Sequence, residues 1–179
     1  LFHTGEGGAL FCNDENLRHK MFYSHNFGHD GAVRFFGLGI NGKISELQAA
    51  MGLSVFPYMQ TILEGREQIV NYYDINLDFN KLQKIKIREN TEWNYSYYPI
   101  IFETESILLE VLNELNKQQI FPRRYFYPSL NTIDYVNGAR MPISESIAQR
   151  ILCLPLFYDL KIEKAEFICR LINKTLLRL

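Results

Sequence analysis

Met59, Ile62, Leu63, Ile69, Val70, Tyr73 and Leu77, with Arg66 among them, recur at spacings of three, four and seven. That is the repeat of one face of an α-helix. The spacing predicts a helix over residues 58–77, about 30 Å long at 1.5 Å per residue, a length that suits a connector between two domains. Pro57 stands immediately before it. Inside a helix, proline loses a hydrogen bond and clashes with the preceding turn, so it separates this helix from whatever comes earlier. The chain of 179 residues therefore reads as residues 1–56, a connecting helix at 57–78, and residues 79–179.

Within the first part, Gly37 to Gly52 changes character abruptly. A loop containing Gly37, Gly39 and Gly42 runs into the helix formers Glu46-Leu47-Gln48-Ala49-Ala50, with Ser45 placed as the N-cap. A glycine-rich loop feeding a helix N-terminus suits an anion, because free N–H groups and the helix dipole meet there. The plain alternative is a loop, a cap and a buried alanine-rich helix, and local physics alone favours it. Upstream, His3 to Gly8 is a flexible approach to Ala9-Leu10-Phe11-Cys12, a run of strand length. Asn13-Asp14 caps a helix from Glu15 to Tyr23, with Leu17, Met21 and Phe22 expected to face the core and His19 the solvent. Residues 24–40 form a long loop. His25 and His29 would have ligand spacing on a helix, but Asn26, Gly28 and Gly31 argue against one, and no metal site is expected.

After Asp78, residues 81–92 are charged and loose, and Trp93 to Phe102 reads as an aromatic strand. Thr104 or Ser106 caps a helix to Gln118, and Ile120 to Tyr127 is a second extended run. Pro142 opens a short helix to Arg150, Ile151 to Leu154 is a buried strand, and Lys161 to Leu177 closes the chain as an amphipathic helix. Strands alternating with helices make a small α/β or α+β layer.

Bulk properties narrow the function. A net charge of −1 gives no sign of a nucleic-acid partner. The longest apolar runs are too short to span a membrane, and no signal-peptide pattern is visible. Three cysteines in apolar surroundings fit reduced core thiols, hence a cytoplasmic protein. The chain begins with Leu1 rather than Met, which raises the expectation of a piece of a longer protein. No Ser-His-Asp arrangement, zinc pattern or Walker loop is readable. Arg123-Arg124-Tyr125-Phe126-Tyr127 sets two guanidinium forks beside three rings, suited to phosphate and to stacking. Strand alternation would divide them between two faces, and a buried aromatic strand with solvated arginines is the competing reading. From residues alone the chain is a soluble α/β protein with a candidate anion site near Asn41.

Four stretches together carry more. His3-Thr4-Gly5-Glu6-Gly7-Gly8-Ala9 with Asn13-Asp14; Gly39-Ile40-Asn41 with Ser45-Glu46 and Gln48-Ala49-Ala50; Arg123-Arg124-Tyr125-Phe126-Tyr127-Pro128; and Leu152-Cys153-Leu154-Pro155-Leu156-Phe157 occur in one order across almost the whole chain. In that register the chain resembles the DegT/DnrJ/EryC1/StrS family of pyridoxal-phosphate-dependent nucleotide-sugar aminotransferases, and the Arg-Arg-Tyr-Phe-Tyr-Pro form resembles the branch acting on dTDP-linked keto-deoxy sugars.

The resemblance implies an α/β fold-type-I pyridoxal phosphate transferase, a homodimer with active sites at the interface. It implies that residues 1–56 end the large cofactor-binding domain and that residues 79–179 are the small domain. The family's Schiff-base lysine lies just before the stretch matching Leu1, so the chain would carry no catalytic residue of its own and be inactive alone. Asn41 matches the family asparagine that reaches the cofactor phosphate of the neighbouring subunit. Thr4 and Gly5 would help shape the cofactor pocket, and Tyr125, Tyr127 and Arg124 are candidate substrate contacts. The expected reaction passes an amino group, usually from glutamate, to a keto sugar, with no nucleic-acid or membrane partner. Two alternatives stay open: a sugar dehydratase of the same fold, with histidine in place of the lysine, and a non-catalytic binding or regulatory module.

Overall fold

The structure is a computed structural model that describes residues 1–136 and 138–179. The chain divides into two compact units, Phe2–Met59 and Gln60–Leu179.

In the first unit, Asp14 caps α1 (Glu15–Ser24) by accepting from the Leu17 N–H at 2.9 Å. Its expected inward face is not covered. Leu17 and Phe22 are exposed and no residue of α1 is buried, because too few apolar groups stand opposite to form a core. Ala9–Cys12, expected as a strand, is irregular, with Leu10 and Phe11 exposed; a strand needs a neighbour to pair its backbone, and none of the described residues supplies one. The long loop is tightly organised instead. Phe27 N–H donates to Ile40 O at 2.9 Å, Ile40 N–H to Ser24 O at 2.8 Å and Gly42 N–H to His25 O at 2.8 Å. Gly28 (φ +77°) and Gly39 let its two arms touch, since a Cβ on Gly39 would lie 2.0 Å from Gly28 N. α2 (Glu46–Val55) follows, capped by Ser45. Pro57 then sits in a short 3₁₀ turn, Phe56–Tyr58, that parts α2 from α3 (Met59–Asn76).

The second unit holds the core. β1 (Gln83–Lys84), β2 (Tyr98–Ile101) and β3 (Ile151–Leu154) form an antiparallel sheet in the order β1-β2-β3, with Tyr98 opposite Leu154 and Ile101 opposite Ile151. α4 (Glu105–Lys117), α5 (Pro142–Arg150) and α6 (Ile162–Arg178) complete it with α3. Thr104, the nearer of the two expected caps, accepts from Ile107 N–H at 3.3 Å. Leu108, Val111 and Leu115 of α4 and Ala165, Ile168 and Ile172 of α6 are buried with Ile69, Val70 and Tyr73 of α3. Each large apolar side chain so buried is worth about 1.5–3 kcal/mol. The stripe on α3 thus packs as its spacing predicts, including Arg66, which is buried too.

The two extended runs are shorter than expected. Residues 93–97 precede β2 outside the ladder, and Ile120 to Tyr127 contributes only one bridge, Arg123 with Cys153, before turning at Tyr125-Phe126. Prolines at 99, 122 and 128 limit how many N–H donors these segments offer.

Candidate functional site

Asn41 lies four residues before the Ser45 cap, and its backbone is bridged to Asn26. Its carboxamide oxygen accepts from Lys43 Nζ at 2.6 Å, leaving the amide N–H pair to donate elsewhere. The same ammonium stands 4.2 Å from the centroid of the Phe27 ring, a cation–π contact that steadies it. Both side chains are exposed. A pocket of about 600 Å³ opens at Lys43, and its lining also carries the cation Arg18 and His25 but not Asn41. Lys43 is the residue that sequence reasoning missed. Its place two positions after Asn41 was the available signal.

The helix end behaves differently from expectation. Ser45 Oγ accepts from Gln48 N–H at 3.3 Å, and Gln48 Oε1 accepts from Ser45 N–H at 2.8 Å. This reciprocal capping box satisfies two of the donors that an anion would use. Donor chemistry for a phosphate therefore rests more on the Asn41 amide and the Lys43 ammonium than on the helix end. An amide N–H pair beside an ammonium is a donor set that fits the phosphate of pyridoxal phosphate.

Thr4 and Gly5 belong to the same unit and reach α2 through Gln48, whose Nε2 donates to Glu6 O at 2.6 Å. Thr4 also packs on the helix, its Cγ2 3.1 Å from where a Cβ on Gly52 would stand. Gly5 takes φ +78° in open space. The loop at residues 4–7 and the segment bearing Asn41 are thus tied to the first turns of one helix.

In the second unit, the two arginines of the Arg123–Tyr127 stretch diverge as alternation predicts, but Tyr127, which alternation puts beside Arg123, joins Arg124 because the chain turns at Tyr125-Phe126. Arg123 hydrogen-bonds the Tyr125 hydroxyl, which keeps its guanidinium firmly protonated. Tyr125 meets Tyr97 edge-on, ring centroids 5.5 Å apart at 90°. These three residues line a groove of about 360 Å³ with Cys153 and Leu156, and burial pushes the Cys153 thiol up, so it presents a neutral group. Arg124 goes the other way. Its Nη2 donates to Glu105 Oε1 at 2.6 Å and to Gln149 O at 2.7 Å, and the guanidinium lies 3.7 Å over the Tyr127 ring. Of the three expected substrate residues, Tyr125 is on the groove, whereas Tyr127 and Arg124 form a separate pair anchored to α4. Among the described residues no cluster of three or more His, Cys, Asp or Glu side chains could hold a metal, and no helix is long and apolar enough to cross a membrane.

Comparison with known proteins adds what geometry does not. A model of the DegT/DnrJ/EryC1/StrS aminotransferase family matches residues 1–173. The chain is 34% identical to a dTDP-4-amino-4,6-dideoxy-D-glucose transaminase of Shigella dysenteriae, over 97% of this chain and 49% of that protein. It is 30% identical to a protein of the same name from Escherichia coli, over 93% of this chain and 47% of that one. Among solved structures it is similar to the sugar aminotransferase CalS13 from Micromonospora echinospora, with a TM-score of 0.85 at 16% identity, covering 97% of this chain and 48% of that one. The chain spans about half the length of the curated relatives it matches.

Proposed function

This chain belongs to the DegT/DnrJ/EryC1/StrS aminotransferase family, and on that premise we propose that it serves a nucleotide-sugar aminotransferase that moves an amino group from glutamate to a dTDP-linked keto-deoxy sugar. The fold is the α/β fold of the fold-type-I pyridoxal phosphate transferases, and the cofactor is pyridoxal phosphate. The observation that carries the reading is the family match running through residues 1–173. The dTDP group and the 4-keto position follow the names of the Shigella dysenteriae and Escherichia coli relatives.

The cofactor supplies the electron sink for the transfer. On this reading the chain's own residues bind and orient. Asn41 and Lys43 hold the phosphate by an amide N–H and an ammonium, contributed to the neighbouring subunit's site in a homodimer. Thr4 and Gly5 border the cofactor pocket through the Gln48 tether. Tyr125, set by Arg123 and Tyr97, meets the sugar substrate, and the Arg124–Tyr127 pair fixes the segment that carries it. Residues 1–56 end the large domain, residues 57–78 are the connecting helix and residues 79–179 form the small domain. Free thiols at Cys12, Cys153 and Cys169 accord with a cytoplasmic enzyme.

Incubating the intact protein and pyridoxal phosphate with ¹⁵N-glutamate and a dTDP-linked 4-keto-6-deoxyhexose tests the proposal. The expected product is a ¹⁵N-labelled 4-amino sugar nucleotide, detected by mass spectrometry. Absence of label from every keto-sugar nucleotide offered would overturn it. The chain of residues 1–179 by itself is expected to give no product in the same assay.

A further inference from the structure

Arg66 is 6% exposed, and none of the ion pairs among the described residues includes it. Its guanidinium gives every hydrogen bond to main-chain carbonyls: Nε to Tyr95 O at 2.6 Å, Nη2 to Ser96 O at 2.5 Å and Nη1 to Leu156 O at 2.9 Å. Burying a cation without a counter-ion is costly, and an apolar side chain of similar volume would pack the same space at less expense. What leucine or methionine cannot supply is a planar fork that holds three carbonyls from two segments in fixed relation.

Those segments are the walls of the 360 Å³ groove. Ser96, Tyr97, Pro155 and Leu156 line it together with Arg123, whose backbone pairs with Cys153 of β3, and Tyr125, which meets Tyr97 edge-on. Tyr95 carries a left-handed φ of 53°, a conformation that non-glycine residues seldom adopt unless something holds them. Two turns further along the same face of α3, Tyr73 donates its hydroxyl to Pro155 O at 2.9 Å. Two polar side chains of a single helix therefore pin the backbone on which Tyr97 and the Cys153–Leu156 wall depend.

We infer that Arg66, assisted by Tyr73, is a positioning residue for sugar-nucleotide recognition: it sets the spacing of the groove walls, and so the placement of Tyr97 against Tyr125. The inference rests on the reading above that Tyr125 contacts the sugar substrate. Lysine at this position keeps the charge but presents a single ammonium, which cannot reproduce the fork.

Steady-state kinetics on the intact protein separates positioning from simple support of the fold. Arg66→Lys is expected to raise KM for the keto-sugar nucleotide about tenfold while KM for the amino donor moves less than about twofold, the signature of lost binding to one substrate. Equal changes in both constants, or in neither, overturn the inference. Tyr125→Ala serves as the companion variant. Should it leave the sugar KM unchanged, the substrate contact itself is wrong; should it raise that KM while Arg66→Lys does not, only the positioning role falls. If Arg66→Lys does not fold, Tyr73→Phe decides: about a threefold rise in sugar KM alone is expected, and no rise overturns the inference.

Discussion

The two units of this chain solve the problem of apolar burial differently. Between Gln60 and Leu179, Tyr73, Ile100, Phe102, Leu108 and Leu152 are fully buried, and α3, α4 and α6 close over the sheet. Between Phe2 and Met59, no large apolar side chain is buried; Phe11 is 92% and Leu38 98% exposed. That unit is held by backbone hydrogen bonds, caps and facing glycines. A domain with its own core can be stable by itself, whereas local hydrogen bonds are worth only about 0.5–1.5 kcal/mol each. Contiguous exposed apolar groups mark surface that another body covers.

The widest test of this contrast is to produce the units apart. Residues 60–179 are expected to unfold cooperatively on heating, followed by circular dichroism, and residues 2–59 to show no transition. A cooperative transition in the smaller piece would break the comparison. Next in size, Phe102→Ala should cost about 3–5 kcal/mol in urea unfolding, against less than about 0.5 kcal/mol for Leu38→Ala.

Alkaline pH should separate the units too. Burial pushes the Cys169 thiol up to about 12 and raises Tyr73 and Tyr98 further beyond the ordinary tyrosine range, with the Asp74 carboxylate adding to the shift of Tyr98. A raised acid stays protonated in the folded chain while its unfolded counterpart ionises. Stability is therefore complete below the unfolded pKa, 9.0 for the thiol, and falls above it. Each such group costs about 1.4 kcal/mol per pH unit until it ionises in the folded state. Urea midpoints measured from about pH 8 to about pH 11, a window that brackets the ordinary thiol and phenol pKa values, should decline in the second unit. A flat profile would contradict the burial.

The smallest effect compares two caps. Thr104→Ala and Ser45→Ala each remove about 1 kcal/mol. In the core-backed helix α4 the loss should appear as lower global stability. At Ser45 it should appear only as faster amide exchange in the first turns of α2.

What the sequence revealed follows the same division. α3, α4 and α6 were legible because apolar periodicity there is backed by burial, β3 because its unbroken apolar run is buried, and α5 because Pro142 opens it. Ala9–Cys12 misled, since an apolar run has strand length without saying whether a partner strand exists. α1 was found by Asp14 and its caps, yet its apolar face was misjudged for want of anything opposite. For the site, alternation foresaw that Arg123 and Arg124 diverge, but not which would be tied down; that depends on Glu105, nineteen positions earlier in the chain. Arg66 was placed on the right helix face, while its three carbonyl partners, 29, 30 and 90 residues away, leave no local trace.

Gln48 also makes the first unit vulnerable to age. Its oxygen closes the cap on Ser45 and its nitrogen grips Glu6 O. Glutamate caps a helix as well as glutamine does, so the cap alone gives no reason for an amide here. Deamidation at this residue, a slow ageing reaction, would leave α2 intact and exchange the Glu6 tether for a repulsion between two oxygens. The chain could then lose the order of its Thr4–Gly7 loop with its helices untouched, a form of wear that far-ultraviolet spectra would not register.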